Sequence, residues 1–269
     1  MLNQTISFIG GGNMANAIIG GILSAGLAAR EQITATAKTQ KTCDSLKEHY
    51  GIHTTTDNAA AAQTADILFL AVKPFLLSEV IAEIRDAIRK DTLIISIAAG
   101  TPISAIEAMF GKEIRLIRSM PNTPALVGEA MSALSANSNV SEDELALAAS
   151  IFNSFGKCEI IPERLMDAVV GVSGSSPAYV YMFIEAMADA AVADGMPRAQ
   201  AYTFAAQSVL GSAKMVLETG KHPGELKDAV CSPGGTTIEA VAELERTGMR
   251  SSVIAAQRAC VQKSRDMSK

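Results

Sequence analysis

"FIGGGNMANAIIGG", residues 8 to 21, decides the fold. Its first residues end a β-branched run, "TISFIG". Its glycines then form a tight turn, and the residues after them are small and apolar with helical character. Gly10, Gly12 and Ala15 stand in the G-x-G-x-x-G/A spacing that serves dinucleotide phosphates. The first glycine allows the turn, and the second lets backbone approach the pyrophosphate. The small third residue lets helix and strand pack closely. The helix N-terminus adds unpaired N–H groups and the positive end of a dipole.

The pattern continues outward from that unit. The runs "QITATA", "DILFLAV", "TLIISIAA", "IRLIRSM" and "CEIIP" alternate with alanine-rich or charged stretches at 13–28, 41–50, 74–90 and 141–155. Runs that are apolar throughout suit strands covered on both faces. Strand, helix, strand repeated this way predicts an α/β, doubly wound, mostly parallel sheet over residues 1–162. After Pro162 the strand runs stop, and residues 163–269 read as all-helical. Helices are predicted over 177–194, 197–219, 224–230, 236–247 and 250–267. "SSPAYVYMFIEAMADAAVADG" is apolar nearly all round, which requires cover on every side, most simply from a second subunit.

Composition narrows the function. The chain has 269 residues, is 48% hydrophobic, and carries a net charge of −5 with both signs mixed. That balance argues against nucleic acid or an anionic membrane as the main partner. Cys43, Cys158, Cys231 and Cys260 are scattered and form no C-x-x-C pair, and His49, His53 and His222 show no ligand spacing, so no metal is expected. "AIIGGILSAGLAA" lacks a preceding basic segment, and no stretch reaches the roughly 18 to 20 apolar residues of a membrane span. A cytoplasmic location is expected.

The end of the second strand reads "TATAKTQKT". An NAD site places Asp or Glu there; here Thr36 and Lys38, with Thr39 and Lys41, are candidates to meet a 2′-phosphate, the alternative being a solvated loop. NADP(H) is therefore expected, with NAD(H) possible. "FLAVKP" and "SIAAG" end strands where the crevice of such a sheet lies. Lys73 could be a base or a phosphate contact, but the backbone of Ala71 to Pro74 is the preferred reading. "SMPNTPA" either borders the site or is a rigid loop.

A second glycine loop, "CSPGGTTIEAVAELE" at 231–245, opens another helix. Gly234 and Gly235 free backbone N–H groups, and Thr236 and Thr237 add hydroxyls. Such a terminus can hold a carboxylate. Taken alone it could equally be a good turn and cap. Cys231 is read as packing and His222 as structural.

With both halves read, the chain resembles the pyrroline-5-carboxylate reductase family. "FIGGGNM", "FLAVKP", "SIAAG", "MPNTP", "SGSSPAYVY" and "HPGELKDAVCSPGGTTIEAV" occur in that family's order, the most specific segment being "LKDAVCSPGGTTIEAVAELE". The resemblance implies hydride transfer from NAD(P)H to the C=N carbon of L-Δ1-pyrroline-5-carboxylate, giving L-proline. It implies a Rossmann-type domain followed by an all-α dimerisation domain, a homodimer or an oligomer of dimers, and a site where the domains meet across subunits. It places the cofactor on Ile9, Gly10, Gly11, Gly12, Asn13 and Met14, on Asn58, on Ala71, Val72, Lys73 and Pro74, and on Ile97, Ala98 and Ala99. It places the substrate on Ser232, Gly234, Gly235, Thr236 and Thr237. Thr237 is further expected to hydrogen-bond the ring nitrogen and act in catalysis. Other readings are a reductase of a related cyclic imino acid and a non-catalytic NADP-binding regulator. A β-hydroxyacid dehydrogenase is disfavoured, because "SGSSPAYVYMFIEAM" lacks the lysine and asparagine expected there.

Overall fold

The computed structural model describes residues 2–267. The chain divides into two compact units. One contains residues 1–175 together with 260–269, and the other residues 176–259.

The first unit is built on an eight-stranded sheet. Its strands are β1 (Ile6–Ile9), β2 (Ile33–Thr36), β3 (His53–Thr55), β4 (Ile67–Leu70), β5 (Leu93–Ser96), β6 (Arg115–Met120), β7 (Ala130–Ala136) and β8 (Gly156–Ile160). Their order is β3-β2-β1-β4-β5-β6-β7-β8. The pairs from β3 to β6 are parallel, β7 runs antiparallel to β6, and β8 runs parallel to β7. The expected doubly wound, mostly parallel sheet is therefore present. The six strand runs of the sequence all form strands, and β3 and β7 join them.

β1, β4 and β5 are buried along their whole length, β4 as an unbroken apolar run and β1 and β5 with one buried serine each, Ser7 and Ser96. Phe8 and Phe69, opposite one another in the β1–β4 register, stack at 4.6 Å and 9°. Such a pair adds about 0.5–1.5 kcal/mol beyond its area. Helices α1 (Asn13–Ser24), α2 (Gln40–Tyr50), α3 (Asn58–Gln63), α4 (Leu77–Ile84), α5 (Ile103–Phe110) and α6 (Glu142–Asn153) cover the sheet. They close two apolar clusters. One is centred on Ile18, Ile19, Phe69 and Phe152, the other on Leu68, Leu70, Ile81 and Ile94.

The strand order reverses direction between β1 and β4, because β2 and β4 flank β1 on opposite sides. A crevice opens at the carboxyl ends of strands at such a switch point. Both "GGGNM" and "AVKP" leave the sheet there.

Beyond β8, α7 (Met166–Val169) runs into a π-helical turn at Val170–Gly174. This segment is tied to the sheet: Asn122 donates from Nδ2 to the Ser173 carbonyl at 3.0 Å and accepts from the Met131 N–H at 2.9 Å. Buried Arg118 pairs with Glu163 at 2.9 Å, and the same carboxylate oxygen accepts the Ile103 N–H at the start of α5.

The second unit holds α8 (Ser176–Ala193), α9 (Arg198–Thr219), α10 (Pro223–Val230), α11 (Thr236–Arg246) and the first part of α12 (Met249–Met267). Its five helices match the predicted ones to within two residues at most ends. The expected need for external cover is visible in a single chain. Tyr181, Met182 and Phe204 are 59%, 69% and 67% exposed.

Candidate active site

The first glycine loop is shaped by contacts that specify Gly10 and Gly11 one at a time. Gly10 has φ +106°, and a Cβ there would stand 2.6 Å from the Ala71 carbonyl oxygen, so β1 and β4 can approach only with glycine. The neighbouring backbone is tied by Ala71 N–H donating to the Ile9 carbonyl at 2.9 Å. A Cβ on Gly11 would meet Leu46 at 2.5 Å. Gly12 is different. It has φ −79° and ψ −177°, an extended conformation open to any residue, and a Cβ there would meet nothing within 4 Å. No protein atom requires glycine at this position, so the space above it is a cradle that a methyl group would fill.

Asn16 orients the loop. Its Nδ2 donates to the carbonyls of Gly11 at 3.1 Å and Gly12 at 2.9 Å. With those carbonyls turned back, the N–H groups that open α1 and have no intrahelical partners face outward. Asn13 is exposed there, while Met14 packs on the core and fully buried Ile9 offers only its backbone.

Beside the loop lies a cleft of about 270 Å³, lined by Gly10, Thr36, Ala37, Lys38, Thr56, Asn58, Val72, Leu76, Glu79, Val80 and Glu83. It gathers five of the residues assigned to the cofactor from sequence: Gly10, Thr36, Lys38, Asn58 and Val72. Thr36 is buried, and its hydroxyl is engaged both ways. It accepts the Gly10 N–H at 3.1 Å and donates to Asn58 Oδ1 at 2.7 Å. Lys38, by contrast, is exposed at the cleft.

The strand ends after β4 and β5 present backbone. Lys73 points to solvent and its carbonyl accepts the Leu76 N–H at 2.9 Å. Ala71, Val72 and Pro74 are half-buried. After β5, the Ile97 N–H donates to Leu70 and the Ala98 N–H to the Ser96 hydroxyl, leaving Ala99 partly exposed.

In the second unit, Cys231 ends α10 and a turn comes next, closed by the Gly235 N–H on the Ser232 carbonyl at 3.0 Å. Gly234 takes φ +66°, which the turn needs. Gly235 is the N-cap of α11, and a Cβ on it would strike the Ser232 hydroxyl at 2.4 Å. Thr236 and Thr237 occupy the first turn of α11. Among the described residues, neither hydroxyl makes a hydrogen bond. The first N–H groups of an 11-residue helix, which have no intrahelical partners, and two hydroxyls thus stand together at this terminus. Lys227 is paired with Asp228, which also raises its pKa. His222 caps α10 through Nδ1, which accepts the Gly224 N–H at 3.1 Å.

Several residues around the cleft and the loop were not anticipated from the sequence, Thr56, Leu76 and Val80 among them. Asn16, Glu79 and Glu83 lie on the site faces of α1 and α4, and only their helical spacing from the motifs could have marked them. Among the described residues no cluster of His, Cys, Asp or Glu could hold a metal ion.

The similarities run the length of the chain. A family model described as pyrroline-5-carboxylate reductase dimerisation matches residues 163–267, and one described as NADP oxidoreductase, coenzyme F420-dependent, matches residues 5–100. The chain is 51% identical over 268 residues to the pyrroline-5-carboxylate reductase of Escherichia coli K12, covering 100% of both. It is 45% identical to that of Methanosarcina acetivorans, again covering 100% of both. Among solved structures it is similar to a pyrroline-5-carboxylate reductase from Coxiella burnetii, with a TM-score of 0.93, 38% identity and 100% of both chains covered. It is also similar to the Plasmodium falciparum pyrroline carboxylate reductase with NADP bound, with a TM-score of 0.89, 33% identity and 100% coverage of both. With both glycine loops inside these end-to-end matches, the chain belongs to the pyrroline-5-carboxylate reductase family.

Proposed function

We propose that this chain reduces the C=N bond of L-Δ1-pyrroline-5-carboxylate to give L-proline, with NADPH as preferred reductant and NADH as a second one. The observation that carries this reading is the full-length identity to reductases of that name, with both anion-binding loops in place.

The residues fit the cofactor. The cradle over Gly12 has room for a pyrophosphate, and the first turn of α1 supplies its N–H donors. Asn13 and Met14 continue that turn, and Ile9, Gly10 and Gly11 shape the loop. Asn58 and Lys38 face the adenosine end. The backbone of Ala71 to Pro74 and Ile97 to Ala99 lets a flat ring approach the strand ends. When bound, the reduced nicotinamide supplies the hydride.

The second loop holds the substrate. Ser232, Gly234, Gly235 and Thr236 offer the carboxylate a helix N-terminus, worth about 0.3–1 kcal/mol from the dipole, with charge-assisted hydrogen bonds adding to it. The Thr237 hydroxyl accepts the N–H of the protonated imine. A protonated cyclic imine is already electrophilic, so the protein's task is alignment more than activation. One hydride reaches the ring carbon, the electron pair of the C=N bond passes to nitrogen, and proline leaves as the secondary amine.

Residues 1–162 serve as the cofactor domain in this reading, and 163–269 as the dimerisation and substrate domain. Two chains pair through the apolar faces of α8 and α9. Among the described residues no helix is long and apolar enough to cross a membrane, and we place the enzyme in the cytoplasm. The test is oxidation of NADPH, monitored by nicotinamide absorbance, with L-Δ1-pyrroline-5-carboxylate, and proline identified as product. Binding of NADPH without turnover would favour a cofactor-binding regulator or another cyclic imino acid as substrate.

A further inference from the structure

In sheets of this topology an Asp or Glu at the end of the second strand takes the ribose hydroxyls of NAD. No acid stands between Thr34 and Thr42 here. A carboxylate nevertheless reaches the cleft, from α4. Glu83 lies near the end of α4, and its Oε2 accepts Asn58 Nδ2 at 2.7 Å. Asn58 Oδ1 accepts the Thr36 hydroxyl at 2.7 Å, and that hydroxyl accepts the Gly10 N–H at 3.1 Å.

The sense of this chain is forced. The Glu83 carboxylate only accepts, so Asn58 turns its NH2 toward it and its Oδ1 toward Thr36. The Thr36 hydroxyl places its one proton on Oδ1, while its oxygen accepts the Gly10 N–H. A relay of four residues therefore runs from the phosphate loop to an exposed carboxylate in the same cleft. Glu79, one turn earlier on α4, also lines that cleft, and Lys38 is the cation in its lining.

We propose that Glu83, oriented through Asn58 and Thr36, is a specificity-determining residue for the cofactor. Its carboxylate accepts a ribose 2′-hydroxyl and repels a 2′-phosphate. It supplies from α4 the acid that β2 lacks, and it holds the NADPH preference below the level that Lys38 alone would set. This inference rests on the cleft being the adenosine end of the cofactor site.

Glu83→Gln tests it cleanly. The glutamine side-chain oxygen still accepts Asn58 Nδ2, so the relay survives while the charge is lost. The measurements are kcat/KM with NADPH and with NADH, and the dissociation constant of each from nicotinamide fluorescence. The expected result is about a tenfold rise in the NADPH/NADH ratio of kcat/KM, carried by a lower KM for NADPH and a higher KM for NADH, with kcat unchanged. Lys38→Gln should move the ratio the other way. A ratio that stays put in Glu83→Gln, or equal weakening of both cofactors, overturns the proposal and reduces Glu83 to a structural partner of Asn58. Wild-type protein that binds neither cofactor would instead overturn the cofactor reading itself, and this inference with it.

Discussion

Replacing Gly12 by alanine separates folding from cofactor binding in a single methyl group. The added Cβ meets no protein atom within 4 Å, and the backbone at φ −79° and ψ −177° accepts alanine without strain. Two small terms act on stability. Alanine restricts the unfolded chain, a gain of about 0.4–1 kcal/mol. Glycine is the better N-cap, so a loss of similar size opposes it. The net change should lie within about 1 kcal/mol, or roughly 2–4 °C in Tm. Cofactor binding should fare otherwise, because the methyl enters the space that the proposed function assigns to the pyrophosphate. Losing the dipole contribution of about 0.3–1 kcal/mol and one charge-assisted hydrogen bond of about 1.5–3 kcal/mol weakens binding by about 2–4 kcal/mol. That corresponds to a dissociation constant roughly thirty- to several-hundred-fold higher. Gly10→Ala is the control: φ +106° and the 2.6 Å approach to the Ala71 oxygen predict a loss of more than about 2 kcal/mol in stability. Calorimetric melting with and without NADPH, together with fluorescence titration, measures both quantities. Gly12→Ala protein that binds NADPH like wild type would refute the reasoning, as would a loss of stability matching that of Gly10→Ala.

The second loop should behave as a separate module. Thr237→Ala is expected to lower kcat at least tenfold with the NADPH dissociation constant unchanged, and equal kcat in steady-state assays would remove the hydroxyl from the mechanism. Gly235→Ala drives a Cβ against the Ser232 hydroxyl at 2.4 Å, so KM for the imine should rise while NADPH binding holds; an unaltered KM counts against substrate binding at this turn. Acid sensitivity can be traced to Glu144. Burial pushes its carboxyl up, but hydrogen bonds from Ser141 and the Arg115 guanidinium outweigh that and hold it below its usual range. Because the folded value lies below the unfolded one, its contribution is present above about pH 4.3 and is lost as pH falls through the folded value. Urea unfolding of Glu144→Gln should therefore differ from wild type at neutral pH and converge with it on acidification, and a constant gap would contradict the assignment.

What the sequence discloses depends on how local the cause is. β4 is legible because an unbroken apolar run has no other use in a short segment, and β1 and β5 because theirs carry only one serine each. β7, "AMSALSA", is not legible. Its small residues have no strand preference, and it is extended because β6 and β8 pair with it on both sides. α3, "NAAAAQ", is too short to show a period, and β3 has only three residues. The glycine loops are readable because their spacing, and their place at the mouth of a helical run, are local, although the atoms that demand glycine at Gly10 and Gly11 belong to Ala71 and Leu46, far along the chain. The engagement of Thr36 is hidden because it depends on Gly10 and Asn58, which approach only when β1, β2 and α3 assemble. Glu83 is hidden for the same reason, 25 positions from the amide it accepts. Composition marks Pro162 as the point where strand runs end, whereas packing groups residues through Ser175, and again from Cys260, with the sheet.

That return of the chain has a consequence for biosynthesis. Ser264 is buried and donates to Asp167 at 2.7 Å, and the Cys260 thiol lies 3.2 Å from the Ser175 hydroxyl. Translation delivers residues from the N-terminus onward, so the sheet emerges first but lacks these partners until α8 to α11 have also left the ribosome. Asp167 and Ser175 must wait, solvated, for a segment made roughly ninety positions later. The last contacts of the cofactor-binding unit are therefore made after the helical unit has been synthesised. A nascent chain stalled before Cys260 would hold a sheet with both glycine loops already made but its closing contacts still missing.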